Sequence, residues 1–209
     1  MAQGIKYEPC SYEQIEIIDA PGILGWLGRK RKEAIIKANS IVLKKQSNKI
    51  SVLDIGCGYG EILSDIAGGL KVGVDVNTEA IKRAKQRAKS AFFILCDIEK
   101  LPFKPKTFDL VICSEVLEHM DGPSMLANQI VEATKYGGFF CLTVPNEWIS
   151  TLGRFLLRIK PYRSPAHKKV YNWRKLKGLF PQAVVKRKSI PFGFLPFMLS
   201  SNLLVLFRR

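Results

Sequence analysis

The sequence predicts an α/β fold, a parallel sheet with helices packed on both of its faces. Three observations predict it. Short apolar runs recur through the middle of the chain and alternate with segments of helical spacing. The runs are rich in Val, Ile and Phe and are continuous, as expected of strands buried on both faces. The first run, Val52 to Ile55, ends in Gly56-x-Gly58-x-Gly60, where small residues let a strand turn sharply into a helix.

Taken in order, residues 1–20 are polar and without a clear period, and Pro21-Gly22 marks a turn. Ile23 to Leu43 reads as a helix with the stripe Ile35, Ile36, Ala38 and Val42 and a basic cluster, Arg29 to Lys32, to one side. Strands are expected at Ile50–Ile55, Lys71–Val76, Ala91–Cys96, Phe108–Cys113 and Phe139–Val144. Helices are expected at Ile62–Ala67, Thr78–Ala88 and about Pro123–Lys135, the last closed by Tyr136-Gly137-Gly138 because glycine is favoured just past a helix end. Beyond Pro145 the pattern loosens. Trp148–Ile159 reads as helix, Lys160–Ala166 as a loop, and Asn172–Leu179 as a short helix capped by Asn172. Ala183–Ser189 and Leu203–Phe207 read as strands. One domain is expected, in three stretches: a helical cap (1–47), a ligand-binding core (48–146) and an acceptor side (147–209).

Composition narrows the function classes. The 209 residues carry a net charge of +15, and residues 151–209 hold fourteen Lys and Arg and no acid. That imbalance favours an anionic partner. The broken apolar segment Ile190–Leu199 contains Pro191, Gly193 and Pro196 and does not read as a membrane span. The acidic, non-apolar first twenty residues lead us to expect no leader peptide. The five cysteines (10, 57, 96, 113 and 141) form no Cys-x-x-Cys pair, so reduced core thiols in a cytoplasmic protein are expected.

The glycine turn is not the Gly-x-Gly-x-x-Gly of dinucleotide enzymes, nor does a Lys-Ser/Thr pair follow it as in phosphate-binding loops. Glu61, directly after it, would repel a pyrophosphate. A ligand with an amine and a ribose but no phosphate suits it better. Ligands of open parallel sheets lie beyond the carboxyl ends of the strands. Asp75, ending the second strand, can accept from both ribose hydroxyls. Asp97, just past the third, can accept from the exocyclic amine of adenine, with Val76 or Ile98 against the ring. Asp54 either holds a ligand amine or ties down the glycine loop.

These stretches, with Phe108–His119 and Gly137–Pro145, resemble in order the motifs of class I S-adenosylmethionine-dependent methyltransferases, notably the group that includes the ubiquinone/menaquinone-type enzymes. The resemblance covers about residues 48–146. It implies a Rossmann-like three-layer αβα sandwich with a seven-stranded, mostly parallel sheet and an antiparallel last strand, and S-adenosylmethionine as methyl donor. It places Asp54, Gly56, Cys57, Gly58 and Gly60 along the methionine part. It gives Asp75 to the ribose, Asp97 to the adenine amine, and Ser114 and Glu115 to the sulfonium.

Displacement at a sulfonium needs alignment and exclusion of water, and a base only if the acceptor must lose a proton. His119 is either that base or a structural residue of the loop after the fourth strand. His167 contacts the acceptor or is a plain surface histidine. No metal site is expected, since no catechol-type carboxylate cluster is evident. For the acceptor, a small molecule or a lipid or isoprenoid-like molecule at the inner membrane surface is favoured. Phe192, Phe194, Leu195, Phe197, Met198 and Leu199 beside Lys186-Arg187-Lys188 suit contact with an anionic membrane, or else pack as core. RNA is the alternative, from Tyr162, Tyr171 and Trp173 among Arg163, Lys168, Lys169 and Arg174. A non-catalytic binding subunit on the same fold is the third reading.

Overall fold

The computed structural model describes residues 22–46, 49–156, 158, 167–191 and 200–209. The strands are β1 (Val52–Ile55), β2 (Lys71–Asp75), β3 (Phe92–Leu95), β4 (Phe108–Ser114), β5 (Thr134–Pro145), β6 (Ala183–Ile190) and β7 (Asn202–Arg208). The helices are α1 (Gly22–Lys45), α2 (Glu61–Asp65), α3 (Thr78–Arg87), α4 (Pro123–Ala133), α5 (Glu147–Leu156) and α6 (Trp173–Leu179), with a 3-10 turn at Leu117–His119. Among the described residues the strands form one seven-stranded sheet, in the order β3-β2-β1-β4-β5-β7-β6. β1 to β5 run parallel, and β7 lies antiparallel between β5 and β6. The fold is the expected Rossmann-like three-layer sandwich.

Strand alternation divides the core in two. Leu53 and Ile55 of β1, Val111 of β4 and Leu142 of β5 face α4 and α6, where Leu126, Ile130 and Leu176 meet them. Phe140, Phe180 and Phe207 stack there with ring centroids 4.9–5.6 Å apart. Val52, Leu110, Ile112 and Cys141 face the other way, toward Ile35, Ala38 and Val42 of α1, Leu63 of α2 and Ile81 and Ala84 of α3. Asn77 caps α3, its side chain accepting from the Glu79 and Ala80 N–H groups, an arrangement that typically contributes about 1 kcal/mol. Asn172 caps α6 as expected, accepting from the Lys175 N–H at 2.9 Å.

Three expectations change. α4 stops at Ala133, because Thr134 is extended and already pairs with Phe108 of β4. The glycine pair therefore serves a bulge inside β5 rather than a helix end. Gly137 sits at φ 73, and a Cβ on Gly138 would meet the Lys135 and Asp109 carbonyl oxygens at 2.9 and 3.0 Å. Lys135 in this bulge binds both oxygens of Asp109 at 2.9 Å.

The basic cluster of α1 is not one open face. Lys30 pairs with Glu33, Arg31 with Glu115 and Lys32 with Asp65. Nor, among the described residues expected to suit RNA, do Tyr171 and Trp173 form one exposed surface. Tyr171 is 4% exposed and donates its hydroxyl to the Leu117 carbonyl, while Arg187 lies over the Trp173 ring at 5.0 Å. Tyr162, Arg163 and the aromatic segment Phe192 to Leu199 lie outside the described residues, as does Cys10. Cys57, Cys113 and Cys141 are buried free thiols and Cys96 is half-buried, and burial pushes all four thiols up, Cys96 to about 11 and Cys141 to about 12.

Candidate active site

The carboxyl ends of β1, β2, β3 and β4 lie side by side, and every predicted donor-site residue sits on that edge or in the turns leaving it. The turn after β1 is held by the backbone. The Gly56 and Cys57 N–H groups both donate to the Val74 carbonyl, at 2.8 and 3.0 Å. Gly56, Gly58 and Gly60 all have positive φ, at 70, 51 and 76°. At Gly56 space adds to conformation, since a Cβ there would stand 2.4 Å from Val116 Cγ2. Glu61 opens α2 and is ion-paired with Arg87 at 2.8 Å.

Asp75 ties this turn to the next one. Its Oδ2 accepts from the Gly58 N–H and its Oδ1 from the Asn77 N–H, both at 2.9 Å. Each carboxylate oxygen keeps a further lone pair. Desolvation raises its pKa despite these bonds. Asp97 fastens its own turn through Oδ1 to the Glu99 N–H at 2.9 Å. Val76 is half-buried and Ile98 buried, both against the core of the α4 face.

Asp54 differs from the other two. It is 1% exposed, and neither oxygen has a hydrogen-bond partner in the structure. It does not tie down the glycine loop. Burial, with Glu61 and Asp75 as neighbouring charges, holds its carboxyl well above the usual range. A buried carboxylate without partners is costly unless a ligand satisfies it. The group it suits is a cationic donor such as an ammonium.

After β4 the geometry turns acidic. Ser114 Oγ lies 2.8 Å from Thr143 Oγ1. Glu115 stands at φ 57, and its oxygens accept from Thr143 Oγ1 at 3.0 Å and Asn202 Nδ2 at 2.9 Å. His119 meets His167 edge to face, with ring centroids 5.1 Å apart. His167 Nδ1 is hydrogen-bonded to Glu147 Oε1 at the start of α5. The two histidines, far apart in sequence, thus lie against each other.

Sequence reasoning missed three members of this group. Glu118 is fully buried, and burial, reinforced by Glu115, pushes its carboxyl well up. Its spacing, Glu115-x-x-Glu118-His119, was a readable signal. Glu147 and Arg31 carried none, since each meets its partner only through the fold.

Comparison with known proteins agrees with this geometry. A family model described as a methyltransferase domain matches residues 46–186. An uncharacterized protein of Methanocaldococcus jannaschii is 34% identical over 138 residues, covering 65% of this chain and 60% of that protein. The mitochondrial ubiquinone biosynthesis O-methyltransferase of Candida albicans is 30% identical over 148 residues, covering 62% of this chain and 45% of the relative. The chain thus spans about half the length of these curated relatives. The crystal structure of magnesium protoporphyrin IX methyltransferase from Synechocystis PCC 6803, with bound SAH, shares the fold at a TM-score of 0.71 and 17% identity, covering 95% of this chain and 93% of that one. With the fold, the glycine turn and a family model spanning most of the chain in agreement, the protein belongs to the methyltransferase-domain family.

Proposed function

We propose that this chain binds S-adenosylmethionine across the carboxyl edge of its sheet and transfers the methyl group to a small acceptor. The observation that carries the reading is Asp54, buried and without a hydrogen-bond partner beside a turn of positive-φ glycines. S-adenosylmethionine brings an ammonium and a sulfonium, both cationic, to an edge lined by Asp54, Asp75 and Asp97. The ammonium would satisfy Asp54. The free lone pairs of Asp75 would take the ribose hydroxyls, and Asp97 Oδ2 the adenine amine, with Val76 and Ile98 on the ring. Gly56, Cys57, Gly58 and Gly60 let the methionine part approach the backbone, and Ser114 and Glu115 stand nearest the sulfonium. The donor supplies an activated methyl group; the protein aligns it and excludes water.

Residues 147–209 would form the acceptor side, with His167 and His119 at its inner end. The O-methyltransferase relatives support a small-molecule acceptor. Titration calorimetry with S-adenosylmethionine and with S-adenosylhomocysteine tests the reading. Saturable binding of both supports it, and no heat from folded protein overturns it in favour of a non-catalytic subunit.

A second reading, of where the acceptor is met, rests on α5. Trp148, Leu152, Phe155 and Leu156 are 82%, 52%, 58% and 69% exposed and recur at one-face helical spacing. An apolar stripe on a strongly basic chain suits shallow contact with an anionic membrane carrying a lipid or isoprenoid-like acceptor. No helix among the described residues is long and apolar enough to cross a membrane.

A further inference from the structure

We propose that a cleft beside the bulge of β5 binds the phosphate group of an anionic ligand. The cleft has a volume of about 400 Å³ and is lined by Lys45, Gln46, Tyr136, Gly137, Phe139 and Arg208. Among the described residues no acidic side chain lines it. Small-molecule pockets span about 300–1,000 Å³, so the size fits. The cleft lies at the opposite end of the sheet from the donor edge. Phe139 pairs with Leu110 of β4, which also pairs with Val52, the first residue of β1. The methyltransferase reading neither requires this site nor explains it.

Three elements build the cleft. α1 ends at Lys45, and the Gln46 side-chain amide donates to the Gly137 carbonyl at 3.1 Å, which fixes that end against the bulge. Phe139 of β5 stands opposite Arg208 of β7. Lys45 Nζ and Arg208 Cζ lie 5.9 and 6.0 Å from the centroid of the Phe139 ring. One buried ring thus seats two exposed cationic side chains, with their charged heads along the cleft. Gly137 leaves the space open, since Arg208 Nη2 stands 3.9 Å from where a Cβ on it would lie.

The charge here is not balanced from within. Neither Lys45 nor Arg208 has a carboxylate partner among the described residues. The nearby acid, Asp109, is already paired with Lys135, and an Arg209 main-chain oxygen accepts from the Gly137 N–H. Lys106 Nζ and Arg209 Cζ add to the field, 4.4 and 4.7 Å from the Tyr136 ring centroid. A hydrogen bond with Lys106, together with the charges of Lys106 and Arg209, lowers the pKa of the Tyr136 hydroxyl. The carboxyl end of α1 offsets only about half a charge. A phosphate dianion matches the pair: the guanidinium offers it parallel N–H donors and the ammonium a compact charge. The excess of Lys and Arg in residues 151–209, which favours an anionic partner, meets a cleft here through Arg208.

The test titrates the full chain with inorganic pyrophosphate at about 0.15 M salt, where a diffuse surface field is largely screened. Calorimetry and the ³¹P signal of the ligand follow binding. One saturable site per chain is expected. Lys45→Gln and Arg208→Gln should each weaken it by about five-fold or more. Arg187→Gln, which removes a cation lying on Trp173, should leave it unchanged. Thermal melts check that the variants fold; both cleft substitutions are at exposed side chains. Cosedimentation with phosphatidylglycerol vesicles separates two sources of the phosphate. Pyrophosphate and vesicle binding weakened together by the cleft substitutions identify a lipid headgroup, and weakening of pyrophosphate alone identifies a soluble ligand. Absence of saturable binding, or equal weakening by all three substitutions, or binding that survives both cleft substitutions, overturns the site.

Discussion

Arg31 of α1 and Glu115, the residue after β4, form an ion pair with Nη1 3.2 Å from Oε2. Both side chains are less than one-fifth exposed. Glu115 also gathers Thr143 of β5 and Asn202 of β7, so one carboxylate joins the first helix to three strands beside the donor edge. These contacts hold Glu115 in a left-handed conformation, which costs a residue with a Cβ of order 1 kcal/mol or more.

Replacing Arg31 by Ala should therefore destabilise the protein by about 1–3 kcal/mol, between the values for exposed and buried ion pairs. Urea unfolding measures it. A midpoint equal to that of the parent would mean that the pair contributes nothing.

Gly56→Ala places a methyl group against Val116 on a backbone with φ 70°. We expect a loss of about 2 kcal/mol or more, since backbone strain and overlap add. Gly56→Ala with Val116→Ala should recover only part of it, because the second change removes the overlap and leaves the strain. Full recovery in thermal melts would show that φ is unimportant there.

Asp75→Ala should weaken S-adenosylmethionine binding more than ten-fold in calorimetry. It should also cost some stability, because the Gly58 and Asn77 N–H groups lose their acceptor. Unchanged affinity in a folded variant would remove Asp75 from the ribose role.

Asp54 gives a prediction about pH. Its carboxyl is raised in the folded protein, chiefly by burial, above an ordinary value of 3.8. The folded state thus holds this proton more tightly than the unfolded state does. Its contribution to stability is complete below pH 3.8 and is lost as pH rises through the folded pKa. Asp54→Asn should remove that slope and make the ligand-free protein more stable at neutral pH, while weakening donor binding. If the difference between parent and variant stays flat from acid to neutral pH, Asp54 does not titrate as described.

For α5, cosedimentation with vesicles should be stronger with anionic than with neutral lipid. Trp148→Glu with Phe155→Glu should reduce it at least ten-fold. Equal recovery in the pellet with and without vesicles would dispose of membrane contact.

Much of the fold was legible because its signals are local. An apolar run buried on both faces, a glycine turn and a cap such as Asn172 each act within a few residues, so the order of strands and helices followed from the sequence. The placing of Asp54, Asp75 and Asp97 at or just past the carboxyl ends of successive strands was equally legible, since parallel strands bring those ends to one edge. Gly137-Gly138 was misread because glycine serves helix ends and strand bulges alike; only pairing with β4 distinguishes them.

By itself, the sequence determined which residues stand along the edge of the sheet. Only the tertiary structure decided which of them are deprived of water and which remote groups meet them. Glu118 is left without a partner while Glu115 gathers three, and His167 lies against His119 with Glu147 behind it. The physical reason is that desolvation and long-range pairing depend on how the layers close, and no local pattern of residues encodes that closure.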